Sequence, residues 1–311
     1  MDRTVTTIFG GAGFIGKYLV SACLKSGYYV KVVSRKAKIE KKNFSFSKLG
    51  QCSFVNCDIK NREQVFEVTK GSNIVINLIG LLENQKKNSF SDVHVQGVSN
   101  LCEACEKANV KKLIHVSAIG VENKSTSKYF HTKLQAEKLI KKMNNYTILR
   151  PSVVYGDEDK FINFFAKVAK LSPILPLIGG GKTKFQPIWV RDLADLILLI
   201  IKSNKSRKIL EVGGAEILSF KEILAFILAE LDFKKSFIKI PFSLAQKMAL
   251  FSEMLPISLL TRDQVEMLKF DNIVNSNLDI CRELDFVPNS FDQTVAKQLQ
   301  KFKKNGGHLI Q

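Results

Sequence analysis

The stretch that decides the fold is Thr6-Thr7-Ile8-Phe9-Gly10-Gly11-Ala12-Gly13-Phe14-Ile15-Gly16, and a helical pattern follows it from Lys17. An apolar strand, glycines at 10, 13 and 16, and a helix start form the arrangement that binds the pyrophosphate of a dinucleotide. The first glycine permits a sharp turn, the second admits a phosphate, and the third lets helix and strand pack closely. Phe14 and Ile15 open the helix, so its free N–H groups and positive dipole end are expected to face the phosphates.

Beyond this motif, strand-like runs alternate with helical stretches through the first half of the 311-residue chain. This alternation predicts a parallel sheet with helices on both faces. After Gly214 apolar helical stretches dominate. We therefore predict an α/β fold: a Rossmann-like, doubly wound parallel sheet in residues 1–215, and a mostly helical C-terminal cap in residues 216–311 that packs on it.

The pattern places individual elements as well. Strands are predicted near Thr4–Phe9, Tyr29–Val33, Ser53–Cys57, Ile74–Leu78, Leu113–Ser117, Tyr146–Leu149 and Lys208–Val212. Helices are predicted near Phe14–Ser26, Arg62–Thr69, Ser91–Ala108, Ser127–Met143, Lys160–Lys170, Asp192–Lys202, Phe220–Leu231, Leu244–Phe251, Arg262–Leu268 and Phe291–Phe302. Pro173, Pro176 and the glycines at 179–181 predict a long loop, either a lid or partner surface or an ordinary surface loop.

The net charge of +18 narrows the class of partner. It favours an anionic membrane surface, an acidic protein or a phosphorylated ligand, although a lysine-rich composition alone also explains part of it. No motif for nucleic-acid readout is visible, so no nucleic-acid partner is expected. Uninterrupted apolar runs such as Leu196 to Ile201 are far shorter than the roughly 18 residues of a membrane span.

Cysteine usage indicates a reducing compartment. No signal peptide precedes the first strand, so the six cysteines are expected to be free thiols in a cytoplasmic protein, or one peripheral on the cytoplasmic face of the inner membrane. Cys102 and Cys105 form a C-x-x-C within a helical stretch. With no second ligand pair nearby, packed helix residues are favoured over a redox or zinc role, and no metal site is predicted.

The end of the second strand, Ser34-Arg35-Lys36, lacks the carboxylate that binds the ribose of NAD. A guanidinium there binds a 2′-phosphate in bidentate fashion. Residues 31–50 hold seven basic residues and one acidic residue, Glu40. A solvated charge run explains the later lysines but not the missing carboxylate. The sequence therefore favours NADP(H) over NAD(H).

The third and fourth strands end in further candidate cofactor residues. Asp58, followed by Ile59, is placed to bond the adenine amino group, or else to cap the next helix. Leu78, Ile79 and Gly80 follow the fourth strand, and the glycine lets backbone lie against the cofactor, although a plain turn uses glycine too.

Tyr129 and Lys133 form a Tyr-x-x-x-Lys pair on a helix after the fifth strand. Residues at i and i+4 share a helix face. A lysine beside a tyrosine favours the phenolate and lowers its pKa, which suits it to acid/base work. The lysine is also placed to hold the nicotinamide ribose. An exposed helix face is the alternative; the glycines upstream favour the cofactor-facing arrangement.

These landmarks resemble the short-chain dehydrogenase/reductase superfamily in its extended or atypical form, over roughly residues 4–215. The resemblance implies cofactor contacts from the residues above and from Pro151 in the turn Arg150-Pro151-Ser152-Val153-Val154-Tyr155-Gly156. It also implies a catalytic hydroxyl near the end of the fifth strand. Ser117 is the candidate, but in the extended pattern that hydroxyl falls a residue or two later, where this chain has Ala118 and Ile119. A missing oxyanion donor costs about 10²–10³ in rate.

A closer resemblance rests on four segments: Val75 to Gly80, Val93-His94-Val95, Lys184 to Asp192, and Leu260-Thr261-Arg262-Asp263-Gln264-Val265. They resemble the NADPH-binding accessory subunits of respiratory complex I (the alpha-subcomplex subunit 9 type) and their bacterial relatives. This resemblance implies bound NADPH and a structural or assembly role in NADH:quinone oxidoreductase, with complex I subunits as partners. An active NADPH-dependent reductase or epimerase, acting on a small carbonyl, quinone or sugar-nucleotide substrate, is the alternative.

The C-terminal stretches 237–243 and 251–260, which are apolar and contain or adjoin lysines, fit a membrane surface, a partner or a cap over the cleft.

Overall fold

The computed structural model describes residues 4–44, 51–83, 88–122, 125–203, 208–254 and 260–303. Its strands are β1 (Val5–Phe9), β2 (Tyr29–Ser34), β3 (Cys52–Asn56), β4 (Ile74–Asn77), β5 (Lys112–Val116), β6 (Tyr146–Pro151), β7 (Val154–Tyr155), β8 (Ile174–Ile178), β9 (Lys184–Phe185), β10 (Ile188–Trp189), β11 (Lys208–Val212), β12 (Leu218–Ser219) and β13 (Ser236–Ile240).

The α-helices are α1 (Phe14–Lys25), α2 (Ala37–Glu40), α3 (Arg62–Thr69), α4 (Gly97–Lys107), α5 (Lys128–Ile140), α6 (Phe161–Leu171), α7 (Val190–Lys202), α8 (Phe220–Glu230), α9 (Phe242–Glu253), α10 (Arg262–Met267), α11 (Ile280–Glu283) and α12 (Phe291–Leu299). A π-helical turn, Ser91–Gln96, runs directly into α4. Short 3₁₀ turns occur at Lys41–Asn43, Gly179–Gly181 and Gln300–Phe302.

Seven strands form one central sheet in the order β11-β6-β5-β4-β1-β2-β3. The pairings from β3 through β6 are all parallel. The order reverses between β1 and β4, and in open α/β sheets ligands bind outside the carboxyl ends of the strands at such a point. The Rossmann-like, doubly wound sheet predicted from the sequence is confirmed, and the predicted late strand lies at its edge as β11.

Both faces of this sheet are buried. Strand residues such as Phe9 and Val75 pack with α3, α4 and α5 in one apolar cluster. Their neighbours Ile8 and Ile76 point to the opposite face, because strand residues alternate, and these side chains are fully buried too. A sheet covered on both faces explains why its strands are nearly continuous apolar runs.

The chain divides into two compact units. Unit 1 comprises Met1–Glu122, Lys128–Pro151 and Leu193–Glu211, and it holds the central sheet. Unit 2 comprises Asn123–Ser127, Ser152–Asp192 and Val212–Gln311. The boundary near residue 215 and the packing of the C-terminal part on the first remain predictions.

Unit 2 is built from helices and three short strand pairs. One apolar cluster joins α6, α8 and α12, and a smaller one joins α9 and α10. The pairs are β7 with β10 and β8 with β13, both parallel, and β9 with β12, which is antiparallel. The loop predicted across residues 173–181 is wrong, because Ile174–Ile178 pairs with Ser236–Ile240. Across the described ranges, no helix combines the length and the apolar character that crossing a membrane requires.

Candidate functional site

The glycine turn after β1 has the geometry that its spacing predicts. Gly10 has a φ of +78°, which side-chain-bearing residues rarely adopt. A Cβ on Gly16 would lie 2.3 Å from the carbonyl oxygen of Gly10, so only glycine lets α1 pack this close to the turn. The turn is tied to β2 by the Gly10 N–H, which donates to the Val33 carbonyl at 2.8 Å.

The start of α1 is open on the side where a phosphate is expected. Gly13 is the N-cap residue, makes no side-chain cap hydrogen bond, and is exposed. A Cβ there would have one neighbour within 4 Å, the Gly10 carbonyl oxygen at 3.1 Å. The first turn, with Phe14 and Ile15 half-buried, contains no acidic residue. An uncapped helix start without a carboxylate suits an anion, so these residues fit a dinucleotide pyrophosphate.

The end of β2 contains a carboxylate that the sequence did not place there. The Ser34 hydroxyl donates to Glu40 Oε2 at 2.5 Å and accepts from the Lys36 N–H at 3.2 Å. Arg35 and Lys36 are exposed. The end of β2 therefore presents one hydroxyl that is already hydrogen-bonded, two exposed cations and one carboxylate. Lys48, another of the predicted basic residues, lies outside the described residues.

The end of β3 places Asp58 at the same edge of the sheet. Its Oδ1 accepts from the Lys60 N–H at 3.0 Å, and the side chain is partly exposed. Asp58 does not cap α3; that role belongs to Asn61, which accepts from the Gln64 N–H. Ile59 is buried in the core cluster, so its side chain is committed to packing.

The segment after β4, Leu78 to Leu81, lies against the glycine turn. A Cβ on Gly10 would lie 3.2 Å from both the Ile79 nitrogen and the Leu78 carbonyl carbon. The Ile79 N–H donates to Asn77 Oδ1 at 3.0 Å, which fixes the start of the segment. Gly80 faces Lys133, since a Cβ there would lie 3.3 Å from Lys133 Nζ. These contacts bring the predicted residues of β1, β4 and α5 together.

Tyr129 and Lys133 lie one turn apart on α5, and both are buried. Lys133 Nζ donates to the Val116 carbonyl at 3.0 Å. Burial lowers the pKa of Lys133 to about 8, against a smaller opposing effect of Glu137. The Tyr129 ring packs edge-to-face on Phe90 and His94. The pair therefore belongs to a buried face of α5, and the exposed-face alternative is excluded.

Ser117 follows Val116 directly at the end of β5. Its hydroxyl is buried and, in the described part of the chain, has no hydrogen-bond partner. A buried orphan hydroxyl is costly unless a ligand satisfies it. Pro151 ends β6, and its carbonyl accepts from the Ile119 N–H at 3.1 Å. Ala118 and Ile119 offer no hydroxyl.

The sequence did not single out a group of buried polar residues around the pair. Asn77 Nδ2 donates to His115 Nδ1 at 3.1 Å, and His94 accepts from the Leu81 N–H. Burial, and then the charge of Lys133, lowers the pKa of His94 to about 3 and holds the pKa of His115 well below its usual value. Both imidazoles are therefore neutral at physiological pH. The nearest signal in the sequence was the segment Val93-His94-Val95.

The two cysteines of the C-x-x-C pack in the apolar cluster of unit 1. Cys102 and Cys105 lie on α4, and burial raises the pKa of Cys102 to about 12, so its thiol is unreactive. Within the described ranges, no group of three or more His, Cys, Asp or Glu residues is arranged to hold a metal ion.

This fold and site define a dinucleotide-binding protein of the oxidoreductase type, with a glycine turn, a switch point and a Tyr-x-x-x-Lys helix. The model of the NAD dependent epimerase/dehydratase family matches residues 6–213, and the chain belongs to that family.

Comparison with individual proteins gives more specific similarities than the family model does. The chain is 30% identical to the mitochondrial NADH dehydrogenase [ubiquinone] 1 alpha subcomplex subunit 9 of Arabidopsis thaliana, over 97% of this chain and 79% of that one. It is 35% identical to the protein of the same name from Dictyostelium discoideum, over 72% of this chain and 63% of that one. Among solved structures, a dTDP-glucose 4,6-dehydratase from Streptomyces venezuelae with NAD and TYD bound superposes with a TM-score of 0.76 at 19% identity, over 98% of both chains. This last likeness concerns the fold alone.

Proposed function

We propose that this chain binds NADP(H) in unit 1 and acts as an accessory or assembly subunit of an NADH:quinone oxidoreductase. The observation that carries the proposal is the glycine turn with its open, uncapped helix start, in a chain homologous to alpha subcomplex subunit 9 proteins along most of its length. A bound coenzyme would supply hydride chemistry; the residues of this chain bind and orient it.

The residues take distinct parts in holding the coenzyme. Gly10, Gly13 and Gly16, with the N–H groups of Phe14 and Ile15, hold the pyrophosphate. Asp58 and the backbone at Ile59 bind the adenine, and Leu78, Ile79, Gly80 and Pro151 border the nicotinamide end. Tyr129 and Lys133 bind the nicotinamide ribose. The buried Lys133 ammonium and the unsatisfied Ser117 hydroxyl support this assignment, because each gains a partner when polar groups of a ligand arrive.

The preference for NADP(H) rests on the end of β2. Arg35 and Lys36 supply two exposed cations for a 2′-phosphate, while Glu40 supplies one nearby negative charge. Two cations outweigh one carboxylate already engaged by Ser34. Charge-assisted contacts to a phosphate are the stronger kind, and a guanidinium binds it through two bonds.

Calorimetric titration with NADPH and NADH tests this preference. We expect Arg35→Glu to weaken NADPH binding about 10- to 100-fold, the effect of losing a charge-assisted bond, and NADH binding less than about threefold. Glu40→Gln is the matched counterpart, since it removes the opposing charge and should strengthen NADPH binding severalfold. If both variants bind both coenzymes as the wild type does, the 2′-phosphate site lies elsewhere.

The accessory role is supported by the relatives' names and by a surface on α9. Five large apolar side chains of α9 and its C-cap are exposed: Leu244, Met248, Leu250, Phe251 and Met254. A helix that exposes its large apolar side chains and buries alanines has an unpartnered face. With the net charge of +18, this supports attachment to complex I subunits at an anionic membrane surface, on the cytoplasmic face of the inner membrane.

Gentle solubilisation of host membranes tests the role. The tagged chain should migrate with NADH:quinone reductase activity on a native gel, and deleting its gene should reduce the amount of that assembled complex. A chain that migrates alone, in cells whose complex assembles normally without it, contradicts the accessory role.

A second candidate, an active NADPH-dependent reductase or epimerase, is favoured by the Ser117 hydroxyl, which lies beside the Val116–Lys133 hydrogen bond. Tyr129 would then be the general acid, Lys133 would lower its pKa, and Ser117 would orient the substrate carbonyl. Incubation with NADPH and a panel of carbonyl, quinone and sugar-nucleotide substrates decides between the two. Turnover that disappears in Tyr129→Phe establishes the enzyme.

A further inference from the structure

His94 lies on the π-helical turn Ser91–Gln96, at the point where this turn approaches α5. π-helical turns are rare and occur frequently at functional sites, because the extra residue redirects a side chain. The imidazole is 2% exposed and stacks on Phe90 at a centroid distance of 5.4 Å. It also packs edge-to-face with Tyr129, and the two ring centroids lie 5.7 Å apart.

Both ring nitrogens of His94 are engaged, each by a different segment. Nε2 accepts from the Leu81 N–H at 2.9 Å, and Nδ1 lies 3.0 Å from the Thr132 hydroxyl oxygen. Thr132 donates its own proton to a backbone carbonyl one turn back on α5. The hydroxyl oxygen therefore accepts, and the neutral imidazole must carry its proton on Nδ1.

Through these two bonds His94 links the segment after β4 to helix α5, at the end of the site assigned to the nicotinamide. Leu78 to Leu81 is fixed at its start by Asn77 and at its end by His94. Between these points lies Gly80, whose added Cβ would be 3.3 Å from Lys133 Nζ and 3.9 Å from His94 Nε2. Thr132, the other partner of His94, directly precedes Lys133 on α5. His94 thus sets the distance between the segment after β4 and the helix that carries Tyr129 and Lys133.

We propose that His94 is a positioning residue for the nicotinamide half of the bound coenzyme, because it alone joins Leu81 to Thr132 among the described hydrogen bonds. The inference rests on the proposed cofactor function, and it concerns one end of that site only. The glycine turn and the end of β2, which bind the pyrophosphate and the adenosine half, are not touched by His94. A histidine that only filled the core would affect both halves alike.

Two variants separate the two bonds of His94. The amide of His94→Gln reaches the position of Nε2 and can still accept from Leu81, whereas the shorter His94→Asn reaches only the position of Nδ1. Each variant is titrated with whichever coenzyme the wild type binds more tightly, and with the adenosine fragment of that coenzyme, 2′,5′-ADP or AMP. We expect His94→Asn to weaken coenzyme binding about tenfold or more, the effect of one unmade buried hydrogen bond, and fragment binding less than about threefold. His94→Gln should restore most of the loss.

The outcomes are distinct. Equal losses for coenzyme and fragment, or a His94→Asn variant that binds the coenzyme as tightly as the wild type, overturn the positioning role. If the wild type binds neither NADPH nor NADH, the proposed function itself fails.

A measurement on the unmodified protein tests the inference even if the variants do not fold. Nitrogen-15 NMR of labelled histidine should show His94 with its proton on Nδ1 and unchanged from pH 5 to pH 8; a proton on Nε2 contradicts the geometry on which the inference rests.

Discussion

At the scale of single residues, the buried charge of Lys133 is expected to lower the stability of the protein when no ligand is bound. Its ammonium is buried, and the described structure gives it one hydrogen bond, to the Val116 carbonyl. Burial disfavours the charged form and lowers its pKa from 10.5 to about 8. Lysines usually carry their charge to solvent. The buried Lys112 satisfies its ammonium with two backbone carbonyls, whereas Lys133 has one such bond and can accommodate a ligand.

We expect Lys133→Met to stabilise the apo protein while it weakens coenzyme binding. A shift of this size corresponds to a cost of about 3–4 kcal/mol, at about 1.4 kcal/mol per pKa unit. Because the folded-state pKa lies below the ordinary value, the cost is fully present below about pH 8. It disappears as the pH rises to about 10.5, where the unfolded chain also loses the proton.

Thermal unfolding of the wild type and the variant at pH 7 and pH 9.5 measures this effect. The gap in Tm should be large at pH 7 and smaller at pH 9.5. Lys138→Met, an exposed lysine on the same helix, is the control and should show little gap at either pH. A Lys133→Met protein less stable than the wild type at pH 7 contradicts the argument.

The sequence predicted some of these residues well and others not at all. Gly10, Gly13 and Gly16 act through local backbone geometry, and Tyr129 and Lys133 share a helix face, so spacing alone brings each set together. Glu40 reaches the end of β2 through the irregular turn into α2, where it bonds Ser34, and His94 reaches the site through contacts with Leu81 and Thr132. No spacing rule connects residues across such contacts, and a π-helical turn has no reliable sequence signal.

At the scale of elements, two glycines of the strand–turn–helix unit are expected to have different roles: Gly13 in cofactor binding and Gly16 in stability. We expect Gly13→Ala to leave stability within about 1 kcal/mol of the wild type, the usual cost of a changed helix cap. Its φ of −79° suits alanine, and the new Cβ would have one close neighbour at 3.1 Å. It should weaken NADPH binding about 100-fold or more, because the methyl group occupies the phosphate side of the turn.

Gly16→Ala is the matched comparison. Its Cβ would lie 2.3 Å and 2.5 Å from the carbonyl oxygens of Gly10 and Gly11, so the turn must move away from α1. Overpacking of this kind costs about 1–3 kcal/mol or more. Urea denaturation with NADPH titration distinguishes the two variants. If Gly13→Ala binds NADPH normally, the phosphate lies elsewhere.

Helix α5 and strand β6 are joined by a buried ion pair that gives a second prediction at this scale. Arg150 contacts Glu137 through two hydrogen bonds, of 2.9 and 2.6 Å, and Glu137 is fully buried. The same guanidinium bonds Glu122 at 2.7 Å, but the Glu122 side chain is 59% exposed. One arginine therefore offers a buried and an exposed carboxylate for direct comparison.

We expect Glu137→Gln to lower the free energy of unfolding by about 3 kcal/mol. The substitution removes the buried carboxylate that bonds Arg150 twice, and it leaves the more distant Glu211, at 3.7 Å, as the remaining buried carboxylate. Glu122→Gln should cost less than about 1 kcal/mol, as exposed pairs do. Urea denaturation at neutral pH measures both. Equal losses from the two variants would mean that burial does not set the strength of this pair.

The elements of unit 1 were largely predictable, and several of unit 2 were not. In the central sheet, the strands are apolar runs that can be read directly from the sequence. In unit 2, β8 was taken for a loop because Pro173, Pro176 and three glycines surround or interrupt it. Its one described partner, β13, is more than 50 residues away along the chain. A strand paired on one edge tolerates proline on its free edge, so Pro176 does not break it.

At the scale of the whole molecule, two properties point to a partner surface. The surplus of 18 positive charges is spread over a chain whose described helices do not span a membrane. On α9, Ala245 and Ala249 are buried, while Phe251 and the C-cap residue Met254 are 71% and 77% exposed. The predicted surface at 251–260 begins here, and residues 255–259 of it lie outside the described residues. Large apolar side chains exposed on a helix that also carries the exposed Lys247 match the chemistry of an anionic lipid surface.

We therefore expect the purified chain to sediment with vesicles containing anionic phospholipid and to remain in solution with vesicles of neutral lipid. Each lysine near such a surface contributes about 1 kcal/mol, so binding should weaken steeply as salt is raised. Replacing Phe251 and Met254 together by serine removes two side chains worth about 1.5–3 kcal/mol each when fully buried, and should weaken vesicle binding tenfold or more. Because both side chains are exposed, Tm and NADPH affinity should not change. Val287→Ser, an exposed apolar residue away from α9 in sequence, is the control. If vesicle binding survives the double substitution but is lost at high salt, the positive charge alone attaches the chain. If the chain binds neither kind of vesicle, the exposed face of α9 is assigned to a protein subunit instead.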